Sequence, residues 1–151
     1  MVNTKFTIEK RDLFTVPKDY YLCHCISADF ALGAGIAKKF AEMGVREALK
    51  RDLGQPHPYQ WNGFGDCFLT QESEWRGEYN LVTKDKCWQK PTKETLRQAL
   101  EQMYAYSDAN DKIAMPKIGC GLDRLNWQDV EQIIKDVFAD TDVEILVCDW
   151  R

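Results

Sequence analysis

The sequence predicts an α/β fold, a three-layer α/β/α sandwich with a mixed central sheet, in a single domain spanning residues 1–151. Three observations carry this. Short β-rich runs alternate with longer segments whose apolar residues recur at helical spacing. Two strands fall together before the first helix and two more in the middle, which favours a mixed sheet over a purely parallel one. Gly-X-Gly turns join strand to helix at Gly33-Ala34-Gly35 and Gly119-Cys120-Gly121.

Thr4 to Lys10 alternates as a first strand, with Asp12-Leu13-Phe14 at its end, and Tyr20 to Ile26 is a second, more apolar one. Gly33-Ala34-Gly35 opens a helix that carries Ile36, Ala37, Phe40 and Met43 inward; Gly44 interrupts it, and Val45, Ala48, Leu49 and Leu53 continue the pattern. Gln55 to Phe64, rich in Pro, Gly and aromatics, reads as a surface loop. Asp66 to Thr70 and Tyr79 to Thr83 follow as strands. Pro91-Thr92 caps a long helix running to about Ser107, with Leu96, Ala99, Leu100 and Met103 inward. Ile113 to Met115 is a short buried strand. Asn126 and Asp129 resemble a capping box ahead of the stripe Trp127, Val130, Ile133, Ile134, Val137 and Phe138, and Val143 to Val147 is the last strand.

The composition, 44% hydrophobic and 29% charged, excludes a disordered chain. No apolar run approaches the roughly 18 residues a spanning helix needs, so no membrane partner is expected. The N-terminus lacks the apolar core of a signal peptide, which points to the cytoplasm or, in a eukaryote, also the nucleus. A net charge of −4 argues against a general nucleic-acid coat but allows a small phosphate ligand held by local donors. The six cysteines form no C-x-x-C pair, and Cys23 and Cys25 flank a His24 that strand alternation sends to the opposite face. Buried free thiols, with no metal site, are the expectation.

In open α/β sheets the ligand crevice lies at the carboxyl ends of the strands. Four features fall there: Asp12, the loop Ser27 to Gly35, Thr83-Lys84, and Gly119 to Asp123. The most specific is Ile113-Ala114-Met115-Pro116-Lys117-Ile118-Gly119-Cys120-Gly121-Leu122-Asp123-Arg124-Leu125-Asn126-Trp127. Here a strand runs into a glycine loop, an acid and a helix start. Closely spaced glycines let backbone N–H groups approach a phosphate, and a helix N-terminus adds positive potential. Asp123 repels an anion, so it points to chemistry beside the phosphate, although a loop Asp is also an ordinary turn residue. Lys84 reads as a solvated strand end, a phosphate contact or a nucleophile; the last needs a lowered pKa, from desolvation or from a neighbour such as Lys86 or Arg124. Asp12 either caps a local turn or accepts from a ligand amine such as that of adenine. Cys120 has no obvious base, since His24 and His57 are the only histidines. Tyr59, Trp61 and Phe64 either stack on a base or staple their loop.

These residues resemble a macrodomain, the ADP-ribose-binding α/β/α fold, and more narrowly the terminal ADP-ribose protein glycohydrolase group. The resemblance rests on Asp12-Leu13-Phe14, His24-Cys25-Ile26-Ser27 with Gly33-Ala34-Gly35-Ile36-Ala37, Thr83-Lys84, Lys90-Pro91-Thr92 and Met115-Pro116 through Trp127. It implies that Asp12 binds the adenine amine and Leu13 lines the same pocket. The loops Ser27, Gly33, Gly35, Ile36 and Gly119, Cys120, Gly121, Leu122 clasp the diphosphate and distal ribose, with Thr83, Pro116 and Ile118 also against the ligand. It further implies that Lys84 attacks the anomeric carbon of the distal ribose and that Asp123 is the acid/base that resolves the adduct. The segment Cys25-Ile26-Ser27-Ala28-Asp29 departs from the Asn-rich loop of many hydrolytic macrodomains and fits the Lys/Asp scheme better. The expected activity is hydrolytic removal of ADP-ribose from protein Glu/Asp esters or DNA bases by a monomer without cofactor, with related action on O-acetyl-ADP-ribose. A non-catalytic ADP-ribose reader and an ADP-ribose 1″-phosphate phosphatase are the alternatives. Trp150 is expected near the adenine pocket.

Overall fold

The computed structural model describes residues 5–53, 59–120 and 124–150. Its elements run β1 (Lys5–Glu9), a 3-10 turn (Leu13–Thr15), β2 (Tyr21–Ser27), α1 (Gly35–Glu42), α2 (Val45–Leu53), β3 (Asp66–Thr70), β4 (Gly77–Lys84), α3 (Lys93–Tyr106), β5 (Lys112–Met115), α4 (Trp127–Val137) and β6 (Glu144–Cys148). Six strands form one sheet in the order β1-β6-β5-β2-β4-β3. Among the described residues only β3 runs antiparallel, against β4. The mixed sheet is as expected, but β1 and β2 do not pair with each other: β1 lies at the edge beside β6, while β2 sits between β5 and β4.

Each face of the sheet has its own apolar layer. Cys23, Tyr79, Leu81, Ile113 and Val147 meet Leu96, Ala99, Leu100 and Met103 of α3 and Val130 and Ile134 of α4. Leu22, Ile26, Val82 and Leu146 meet Phe40 of α1 and Val45 and Leu49 of α2. Burial on both sides explains why β4 reads as a nearly continuous buried run. Each fully buried Leu contributes about 2 kcal/mol of transfer free energy.

Local chemistry sets the element ends. Gly44, at φ +99°, breaks the first helical stretch where the sequence reading put the interruption. Thr92 and Thr95 cap α3 reciprocally. Asn126 accepts from the N–H groups of Gln128 and Asp129, but the return half of that box is missing: Asp129, a methylene shorter than Glu, pairs with Lys93 at 3.5 Å instead. The thiol expectation needs correction too. Cys23, Cys67 and Cys148 are buried, but Cys25 and Cys120 are half-buried and Cys87 is exposed, because it lies in the loop after β4.

His24 does face away from Cys23, and stacks on Phe40 with ring centroids 3.7 Å apart. Its Nε2 lies 2.6 Å from Asn80 Oδ1. The Asn80 amide nitrogen is turned toward Phe68 O, Thr70 Oγ1 and Glu78 O, so the carbonyl faces His24 and Nε2 is the protonated nitrogen. Burial drives the His24 pKa down to about 4, against the opposing pull of the Asn80 bond. The folded imidazole stays neutral while the unfolded one protonates below about 6.5, so stability is full above that pH and falls toward pH 4. Between pH 7.5 and 5 the protein is expected to lose about 2 kcal/mol more than His24→Gln does, read by urea unfolding. Equal losses would refute this.

Candidate active site

The five parallel strands bring their carboxyl ends to one edge of the sheet, where the four candidate segments emerge. β2 and β4 meet there with a register slip: Ile26 pairs with Val82, but Ser27 pairs with Lys84, leaving Thr83 as the extra residue. A bulge of this kind re-aims the side chain that follows it. It presents Lys84, half-buried, at the end of the central ladder. Thr83 is 1% exposed and its hydroxyl has no partner among the described residues.

The loop after β2 is held in a costly shape. Phe30 and Leu32 have φ of +53° and +42°, which side chains with a Cβ avoid. Both are buried, in the same apolar cluster as Leu13, Ile26 and Cys148. Arg46 of α2 donates to Phe30 O at 3.1 Å. This packing joins Leu13, 1% exposed, to the glycine loop. Gly33 and Gly35 are exposed, and a Cβ on Gly35 would meet nothing within 4 Å. Its φ of +59°, not crowding, is what asks for glycine there. Ala34 supplies no side-chain cap to α1, and the first turn holds no acid. Among the described residues no side chain caps the first N–H groups of α1 at Gly35, Ile36 and Ala37, an arrangement that favours an anion.

The loop after β5 starts at Pro116 and turns at Gly119, φ +75°. A Cβ on Gly119 would lie 3.0 Å from Leu125 Cδ1. Leu125 N–H donates to Gly119 O at 2.7 Å. Gly121, Leu122 and Asp123 themselves lie outside the described residues. Ile118 is buried, and the Cys120 thiol donates to Ile118 O at 3.4 Å. Of the two histidines, His24 is committed to Asn80 and His57 lies outside the described residues.

Asp12 caps the 3-10 turn, accepting from Phe14 N–H at 3.0 Å. A carboxylate has further lone pairs, so capping does not exhaust its capacity for a ligand amine. Ser27 is 5% exposed and donates its hydroxyl to Asp29. Tyr59 is a loop staple, packed between Phe30 (5.5 Å) and Phe68 (5.4 Å). Trp61 donates to Phe64 O, while Phe64 is exposed. Trp150 follows β6 and is 63% exposed; Asp149 N–H donates to Glu9 O, which sets this segment beside the end of β1. Among the described residues no three His, Cys, Asp or Glu side chains are grouped as metal ligands.

Sequence reasoning missed Asp29. Its carboxylate accepts from Ser27 Oγ, Ala31 N–H and Cys87 N–H and joins the loops after β2 and β4. An Asp four residues before a Gly-X-Gly loop is the only hint in the sequence, and Cys87 is too distant in the chain to suggest the contact.

The Macro domain family model matches residues 23–134, most of the sheet and the loops after β2, β4 and β5. The chain belongs to the macrodomain family. This macrodomain is 41% identical over 150 residues to the ADP-ribose glycohydrolase OARD1 of Bos taurus, covering 95% of this chain and 91% of the relative. That bears out the resemblance to terminal ADP-ribose protein glycohydrolases. The macrodomain of Thermus aquaticus DarG matches with a TM-score of 0.75 at 18% identity, over 97% of this chain and 99% of that one. Thermosipho africanus DarTG, solved in complex with ADP-ribose, matches with a TM-score of 0.59 at 16% identity, over 89% of this chain and 39% of that one. At such identities the structural likeness speaks for the fold.

Proposed function

We propose that this macrodomain is an ADP-ribosyl hydrolase that releases ADP-ribose from modified macromolecules. The observation that carries the reading is its 41% identity, across 95% of the chain, to a relative named ADP-ribose glycohydrolase. The site is suited to the task. Uncapped N–H groups at the start of α1 and the glycine turn at Gly119 supply donors for a diphosphate. Lys84 stands at the end of the central β2–β4 ladder.

In the proposed reaction the Lys84 amine, in its neutral form, attacks the anomeric carbon of the distal ribose. The bond from that carbon to the acceptor oxygen, or to the acceptor base nitrogen, breaks, and the acceptor leaves with the bonding pair. The nitrogen gives up a proton to the departing acceptor, leaving a lysyl–ADP-ribose adduct. Water then adds to the adduct with Asp123 as acid/base, and ADP-ribose departs as the lysine is regenerated. A binding module needs neither a nucleophile nor an acid/base, which sets this reading apart from a reader.

The test is release of free ADP-ribose from an ADP-ribosyl-glutamate ester on protein and from an ADP-ribosylated DNA oligonucleotide. Turnover on at least one is expected. Tight binding of ADP-ribose with no turnover on either would make the domain a reader. Release of inorganic phosphate from ADP-ribose 1″-phosphate, with both other substrates untouched, would make it a phosphatase.

A further inference from the structure

We infer that Asp29 is a positioning residue for Lys84, acting by strapping the exit of β4 to the loop after β2. The inference rests on the reading of Lys84 as nucleophile. Where the β2–β4 ladder ends, two backbone bonds continue it: Ala28 N–H donates to Lys84 O at 2.9 Å, and Asp29 N–H donates to Asp85 O at 3.2 Å. The Asp29 side chain then extends the tie. Oδ1 accepts from Ser27 Oγ at 2.5 Å and Ala31 N–H at 3.2 Å, which shapes its own loop. Oδ2 accepts from Cys87 N–H at 3.1 Å, across 58 residues of sequence. A residue serving only its own turn needs the first oxygen and not the second.

The far end of the strap is equally ordered. Gln89 N–H donates to Lys86 O at 3.0 Å, and Lys86 N–H donates to Gln89 Oε1 at 2.7 Å, so Lys86 to Gln89 form a closed turn with Cys87 at its second position. Lys84 therefore sits between a register slip on one side and a pinned turn on the other. Burial pushes the Asp29 carboxyl pKa up, but the bonds from Ser27, Cys87 and Ala31 outweigh it and hold the group below the usual carboxylate range. The strap is an ionised acceptor at neutral pH. Attack by an amine requires the nitrogen near 3 Å from the anomeric carbon, and small misplacements of a reacting group lower the rate steeply.

Two substitutions cut the same hydrogen bond from opposite ends. Asp29→Asn keeps an oxygen for Ser27 and Ala31 but turns an amide NH2 toward Cys87 N–H, donor against donor. Cys87→Pro removes that N–H at a turn position proline favours. Each is expected to lower kcat on an ADP-ribosyl-glutamate ester about 10- to 100-fold, as a misplacement of order 1 Å does, while leaving Kd for ADP-ribose within about threefold. The double variant should be no slower than the worse single, because both remove one contact. A general loss of folding lowers binding and rate together and makes the two losses multiply. If either single variant keeps kcat within about threefold, or if the losses multiply, the inference is overturned. Lys84→Ala is measured alongside: full activity there sinks the nucleophile reading, whereas an inactive Lys84→Ala with an unimpaired Asp29→Asn sinks only the role of Asp29.

Discussion

Lys84→Ala is expected to lower ADP-ribose release by about 1,000-fold or more, equivalent to at least about 4 kcal/mol of transition-state stabilisation. The size of the effect follows from what the side chain is proposed to do. A nucleophile that splits one difficult displacement into two easier ones has no substitute when it is removed. A lysine that only touches a phosphate contributes one charge-assisted hydrogen bond, and its loss weakens binding by about tenfold to a hundredfold with the chemistry intact. The two roles separate in the kinetics. With the Lys84 amine gone, ADP-ribose should still bind within about tenfold of wild type, because the donors at α1 and Gly119 are untouched. Steady-state turnover with calorimetric ADP-ribose titration makes the distinction; comparable losses in affinity and rate would favour the phosphate contact.

Gly65→Ala is expected to carry the largest stability loss, about 3–5 kcal/mol. Gly65 leads into β3 where that strand crosses α3, and its N–H donates to Gln98 Oε1 at 2.7 Å. A Cβ there would lie 1.8 Å from Thr95 O and 2.8 Å from Ala99 N. Both are backbone atoms of α3, so no rotamer change relieves the contact. Either the helix withdraws from the sheet, opening the layer around Leu96, Leu100 and Met103, or β3 loses its place on β4. The urea midpoint at constant m-value reads the loss. A variant within 1 kcal/mol of wild type would show that α3 yields easily and that this crossing is not tight.

Much of the fold was legible because its signals are local. Helical spacing along Leu96, Ala99, Leu100 and Met103, and along Val130, Ile133 and Ile134, marks the buried faces of α3 and α4. Thr92, Asn126 and Gly44 mark ends through chemistry that acts within one turn. Pairing was less legible. β1 and β2 are neighbours in sequence but not in the sheet, since a strand's alternation says which face is buried and not which strand lies beside it.

The site divides in the same way. The strand ends and glycine loops could be read directly. The slip that leaves Thr83 over and sets Lys84 against Ser27 could not, because it is a property of two strands at once. Asp29 was hidden for a like reason, as its third donor comes from Cys87. Tyr59 could have stacked on a ligand base or stapled its loop, and its contacts with Phe30 and Phe68 decide for the staple. Asp12 reads as either a cap or a ligand contact, and the structure shows the cap, from Phe14 N–H.

The central claim is a covalent one, so the most direct measurement is the mass of the trapped enzyme. Asp123→Ala, incubated with an ADP-ribosylated substrate and digested, should yield a peptide carrying one ADP-ribosyl group on Lys84, and Lys84→Ala/Asp123→Ala should yield none. Substrate turnover by the wild type with no adduct on Lys84 in Asp123→Ala, or an adduct on another residue, would contradict the account.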